Sequence, residues 1–212
     1  MRLRSCARMR ARFAVAVAGR PRSEDRAEVF ELDDTLVVVV ADGAGGLSGG
    51  AAASAAIVEA VRARLAHRMD PFDLRAWSEL FTTTDAALRA QHAGETTAIV
   101  AAIAPHGVAG VSVGDSEAWV VGPQLDPLTK GQDRARLGTG RCRPTWFHRR
   151  RLDGVLVVAT DGLFRHARRD AIAIACADPD ATAIAEALVT LPRLPSGAYP
   201  DDVAVVVVLA NA

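Results

Sequence analysis

The chain has little from which thiol chemistry could be built. Its three cysteines, Cys6, Cys142 and Cys176, lie far apart and form no CxxC pair. That spacing supports neither a disulfide framework nor a zinc knuckle. No apolar run approaches the roughly 18 residues that a membrane span needs. Net charge is also missing, because 25 basic and 25 acidic residues cancel. No global field therefore draws the chain to nucleic acid. Lysine is nearly absent, Lys130 standing alone among arginines, and no function attaches to that bias. No internal repeat is present. The basic opening MRLRSCARMRAR and the apolar FAVAVAG after it have the outline of a signal segment. The apolar stretch is at the short end for one, and GRPRSED follows at once, so a buried first strand is expected. These absences leave a cytoplasmic protein with no membrane or nucleic-acid partner, built as one domain over residues 1–212.

Half of the residues are apolar, enough for a sizeable core. Strand patterns come in pairs. Phe13–Ala18 reads as a strand, and Ala27–Leu32 with Leu36–Ala41 reads as a hairpin around Asp33 and Asp34. Helical spacing predicts a helix from about Gly50 to Arg68 and another over Leu74–His92. Thr96–Ala104, an arm from Gly107, Glu117–Val121, residues 155–160 and Val203–Leu209 read as further strands. Helices are expected over Arg168–Ala177 and Asp180–Leu191, and 123–148 reads as a loop or a short helix. Strict βαβ alternation is missing, which argues against a doubly wound parallel sheet. Hairpins and paired helices predict antiparallel sheets with helices on the outer faces.

Four aspartates mark the ends or bends of the apolar runs: Asp42 in VVVVADGAGG, Asp115 in VSVGDSEAWV, Asp161 in LVVATDG and Asp201 in YPDDVAVVVV. Carboxylates brought together at strand ends repel unless a cation lies between them. DGAGG matches neither GxGxxG nor GxxxxGK. Taken alone it is a structural turn or a metal or phosphate site, with Gly43 letting the backbone approach closely. GRPRSED places Glu24 and Asp25 after the first strand with Arg20 and Arg22 upstream. Either arginine offers a fork for phosphate, and a solvated charged loop is the alternative.

In order and spacing, GRPRSED, VVVVADGAGG with SGG behind it, ETTAIVAAI, GVSVGDSEAWVVG, LVVATDGLF and DDVAVVVV resemble the PP2C family of metal-dependent protein serine/threonine phosphatases in its compact bacterial form. LDPLTKGQDRA and LGTG are weaker matches, and the resemblance runs from about Phe13 to Leu209. It implies an α+β fold, a four-layer αββα sandwich of two mainly antiparallel sheets flanked by pairs of helices. It implies two Mn²⁺ or Mg²⁺ ions and a third held more weakly. Asp42 would bridge the two ions, with the Gly43 carbonyl on one of them. Asp161 and Asp201 would bind on the other side, Asp25 would bind or organise metal waters, and Glu24 would stand behind it. Asp115 would help hold the third ion. Arg20 would bind the substrate phosphate, with Arg22 as its rival.

The implied reaction is hydrolysis of phosphoserine and phosphothreonine on proteins by a water bridging the ions, which needs no cysteine or histidine nucleophile. The implied partners are a phosphorylated protein substrate and a cognate serine/threonine kinase, with the enzyme a monomer.

The chain departs from the family pattern in places. Glu95 stands where glycine is usual, and Asp202 where asparagine is usual. Asp202 would alter metal affinity, face solvent, or contend with Asp201 for the ligand role. These changes keep open a non-catalytic phosphoprotein-binding module, and the same site also suits a small phosphorylated metabolite. Ala44 replaces the histidine that eukaryotic members often carry in this glycine motif, and His166 beyond TDGLF is most simply a surface residue. RCRPTWFHRRR reads as an edge strand with solvated arginines or as a docking segment.

Overall fold

The computed structural model describes residues 12–20, 23–44, 49–130 and 134–209. Cys6, Arg22, the second half of the DGAGG motif, Ser48 of SGG and residues 131–133 lie outside the described residues. Among the described residues, twelve strands and five helices follow in order. β1 (Arg12–Ala18), β2 (Arg26–Leu32), β3 (Thr35–Ala41) and the short β4 (Gly43–Ala44) precede α1 (Gly50–Ala66) and α2 (Leu74–Gln91). Then come β5 (Glu95–Thr96), β6 (Ala98–Ala104), β7 (Gly107–Val113), β8 (Glu117–Val121), β9 (Leu125–Pro127), β10 (Thr145–Arg149) and β11 (Val155–Ala159). Three helices, α3 (Asp161–His166), α4 (Arg169–Ala175) and α5 (Ala181–Thr190), lead to β12 (Val203–Leu209).

The strands form two five-stranded sheets, ordered β1-β12-β11-β8-β9 and β10-β7-β6-β3-β2, while β4 and β5 form a two-stranded pair. Every neighbouring pair is antiparallel. Side chains alternate across a strand, and in the central strands both faces are buried, whereas the edge strand β1 leaves Val15 and Val17 exposed and is not the buried first strand expected from the sequence. Val37, Val39 and Ala41 of β3 pack with Ile57, Val61, Trp77 and Phe81 of α1 and α2. Val38 and Val40 face the other sheet, meeting Leu156, Val158, Val206 and Val208. On the far side, Val157, Val203, Val205 and Val207 pack with Ile172, Ile184 and Leu188 of the C-terminal helices. Three apolar layers thus separate four structural layers, the expected αββα sandwich. Burial on both faces explains why β3, β11 and β12 read as continuous apolar runs rather than alternating ones. Each fully buried valine or leucine contributes roughly 1.5–3 kcal/mol.

Several boundaries differ from the sequence expectation for identifiable reasons. α1 stops at Ala66, and Arg68 takes a left-handed φ of 52° beyond it. α2 stops at Gln91 because His92 caps it with φ 49°. The strand expected over Thr96–Ala104 is broken at Thr97, whose side chain turns to hold Asp42. Residues 123–148 carry β9 and part of β10, with no helix among the described residues. Asp161 is the first residue of α3, a helix the sequence reading missed. The arginine-rich segment forms β10, an edge strand paired with β7.

Candidate metal centre

The centre lies at one end of the sandwich, where chain segments leave the strands. Asp42 follows β3, Asp115 lies in the turn between β7 and β8, and Asp161 follows β11. Each of the three offers a carboxylate oxygen, and these oxygens lie within 4.8 Å of one another. Asp25, just before β2, is 2% exposed and hydrogen-bonded to Asp42. Asp201 precedes β12, and its charge reaches both Asp42 and Asp161.

Local hydrogen bonds fix Asp42. Its amide donates to Thr97 Oγ1 at 3.0 Å, and its carbonyl accepts from Thr97 N at 2.9 Å and Thr96 Oγ1 at 3.0 Å. Thr97 is held in turn by Ser116 Oγ at 2.6 Å, which ties the ETT and GDS motifs together. Gly43 passes so close to the start of α1 that a Cβ there would sit 2.3 Å from the Gly50 carbonyl oxygen. Glu24 occupies the same corner: its carbonyl accepts from Ser54 at 2.5 Å, and its carboxylate lies against Gly50. An acid at a helix N-terminus is favourably placed.

The crowded acids resist ionisation. Burial first, then the Asp42 charge, pushes Asp25 up to about 8, with the Thr160 hydroxyl acting in the opposite direction. Burial and the Asp161 charge push Asp42 up to about 7. Asp161 is also raised, by burial and by Asp115, while Arg165 opposes the shift. Asp25 Oδ2 and Asp115 Oδ1 are buried without a hydrogen-bond partner. Buried, repelling carboxylates with unmatched oxygens fit hard divalent cations, which take oxygen ligands.

Asp202 does not face solvent. It is 3% exposed, and its carboxylate accepts from Arg20 N at 2.8 Å, Arg20 Nε at 3.4 Å, Arg20 Nη2 at 3.2 Å and Glu24 N at 3.2 Å. Gly19 makes room, since a Cβ there would stand 2.2 Å from Asp202 Oδ1. Arg20 also reaches Asp201 at 3.2 Å, so it lies beside the acids with its side chain more than half exposed. Asp202 is therefore the anchor of the Arg20 loop.

The sequence reading missed Arg136, Arg165 and Thr160. Arg165 bridges Asp161 and Asp115, and Arg136 approaches Asp115 at 3.9 Å. A helix beginning at Asp161 would have exposed the first pair through its i,i+4 spacing. Thr160 accepts from Ala204 N at 2.9 Å and hydrogen-bonds Asp25. The remaining candidates fall away from the centre. Glu95 pairs with Ala44 in the β4–β5 ladder and lines an open pocket of about 700 Å³ with Arg89, His92 and Arg141. His166 is exposed at the end of α3. Burial pushes the Cys142 and Cys176 thiols up to about 12, so neither is a thiolate near neutral pH.

Solved structures share this fold. A bacterial serine phosphatase carrying a point mutation is 21% identical with a TM-score of 0.82, the match covering 96% of this chain and 99% of that one. The catalytic domain of the serine/threonine protein phosphatase PstP, solved with two manganese ions, is 23% identical with a TM-score of 0.76, covering 93% and 97%. The serine/threonine phosphatase Stp1 from Staphylococcus aureus is 19% identical with a TM-score of 0.77, covering 96% of each chain. At these identities the likeness is one of fold. No curated protein matches the chain in sequence. The family model for protein phosphatase 2C matches residues 17–173, and the chain belongs to that family.

Proposed function

We propose that the chain is a metal-dependent phosphatase that hydrolyses phosphoserine and phosphothreonine on proteins. The convergence of Asp42, Asp115 and Asp161 within 4.8 Å, with Asp25 hydrogen-bonded behind them, carries the reading. Two Mn²⁺ or Mg²⁺ ions would be held by Asp25, Asp42, the Gly43 carbonyl, Asp161 and Asp201. Such ions lower the pKa of a water and neutralise the charge of the transferring phosphoryl group.

The protein's own groups do the rest. Thr96 and Thr97 fix the Asp42 backbone, so its carboxylate is delivered without a search through conformers. Arg20 has its guanidinium beside Asp201, held there by Asp202 through Nε and Nη2, and would contact the substrate phosphate from its exposed side. Asp202 and Glu24 set the path of the Arg20 loop rather than touching the reacting atoms. Neither Glu95 nor Asp202 displaces an acid of the centre, which removes the sequence ground for a non-catalytic module. Among the described residues, no helix is long and apolar enough to cross a membrane. A single-domain cytoplasmic monomer acting opposite a serine/threonine kinase completes the proposal.

The test is phosphate release from phosphoserine and phosphothreonine peptides and from a small aryl phosphate, in Mn²⁺, in Mg²⁺ and in chelator. Metal-dependent turnover of the peptides is expected. Metal-saturated protein inert toward every substrate would overturn the reading. Turnover of the aryl phosphate with none of the peptides would redirect it to small phosphorylated molecules.

A further inference from the structure

The Asp115–Asp161 edge of the centre already contains a cation. Arg165 Nη1 lies 2.7 Å from Asp161 Oδ2, and Arg165 Nη2 lies 2.7 Å from Asp115 Oδ2. One planar fork thus joins two acids from different elements, the first residue of α3 and the β7–β8 turn. Both contacts have the length of charge-assisted hydrogen bonds. Arg136 supplies a second guanidinium near Asp115 Oδ1, at 3.9 Å.

The arginine is delivered by a fixed helix. Leu163 is fully buried, and Phe164 stacks on Trp119 with ring centroids 4.6 Å apart, which pins α3 between its ends. Arg165 stands four residues after Asp161, on the same helical face. The guanidinium is therefore aimed by packing as well as by charge.

We propose that the Arg165 guanidinium permanently fills the cation position shared by Asp115 and Asp161 and restricts the centre to two divalent ions. The inference rests on the reading of the centre as a metal site. A divalent ion shared by these acids would need oxygens at about 2.0–2.6 Å, and the Oδ2 atoms facing this position are engaged by Arg165. Guanidinium is always charged and planar, so it offsets one of the two negative charges at every working pH without exchanging with the medium. Asp201 differs in this respect, since its arginine partner is the side chain of Arg20, more than half exposed. Divalent ions are thereby directed to the Asp25–Asp42–Asp201 side of the cluster.

Mn²⁺ titration by calorimetry, on protein first stripped with chelator, tests this directly. The wild type and Arg165→Lys are expected to bind two ions. Arg165→Ala is expected to gain a further, weaker site, and Arg165→Gln, which keeps a polar side chain without the charge, is expected to do the same. Thermal melting checks that each variant is folded, and the exposed position of Arg165 favours this. Three ions on the wild type, or unchanged stoichiometry in both neutral variants, would overturn the proposal. Loss of all Mn²⁺ binding, or two bound ions without phosphate release, would instead count against the phosphatase reading.

Discussion

Replacing Asp42 with asparagine should stabilise the metal-free protein while removing its activity. Asp42 is pushed up to about 7 from 3.8, first by burial and then by Asp161. A folded-state pKa raised above the unfolded value means that the folded state binds the extra proton. Stability of the metal-free wild type is therefore greatest at acid pH and falls as pH rises from about 4 through about 7. The shift of about three units, at about 1.4 kcal/mol each, sets a ceiling near 4 kcal/mol on what the substitution can recover. Asp25 ionises later, near 8, and its shared hydrogen bond with Asp42 offsets part of the repulsion. A net gain of about 2 kcal/mol at pH 8.5 is expected, or a Tm rise of roughly 4–8 °C for a domain of this size. At pH 5 only part of the window has been crossed, so the difference should be clearly smaller, and it vanishes only below about 4, where the carboxyl is protonated in both the folded and the unfolded chain. Thermal melts in chelator at the two pH values are the assay. An equal or lower Tm for Asp42→Asn at pH 8.5, or the same shift at both pH values, would refute the repulsion argument. Such a gain in stability with a loss of function is the usual signature of a site organised for chemistry.

Two further substitutions probe the supports of the centre. Asp202→Ala strands the Arg20 and Glu24 backbone amides, which should cost about 2–3 kcal/mol and raise KM for phosphopeptides as the Arg20 loop loosens, read by thermal melting and steady-state kinetics. Asp85→Ala removes a buried carboxylate that accepts from Gly138, Gly140 and Cys142 amides at 2.7, 2.8 and 3.2 Å. It should cost about 3 kcal/mol and increase amide hydrogen exchange selectively over 137–142, the segment that follows Arg136.

The fold was largely legible because its signals were local and strong. The unbroken apolar runs of β3, β11 and β12 marked strands covered on both faces, and Asp33 with Asp34 marked a hairpin turn. The expected acids at Asp42, Asp115 and Asp161 converge for the same reason, since each ends or interrupts such a run. Other features were hidden because they depend on contacts across the chain. Asp202 looked like a free neighbour of Asp201, yet its partners are Arg20 and Glu24, more than 170 residues earlier. The role of Thr97 needed the meeting of β3, β6 and the β7–β8 turn, which no local spacing displays. α3 was missed because its six residues carry too little periodicity, and Arg165 disappeared with it.

The most direct test of the centre is anomalous diffraction from a crystal soaked in Mn²⁺. The account predicts two manganese peaks among Asp25, Asp42, Asp161 and Asp201, with Arg165 still joining Asp115 to Asp161. Manganese peaks elsewhere and none among these acids would contradict it.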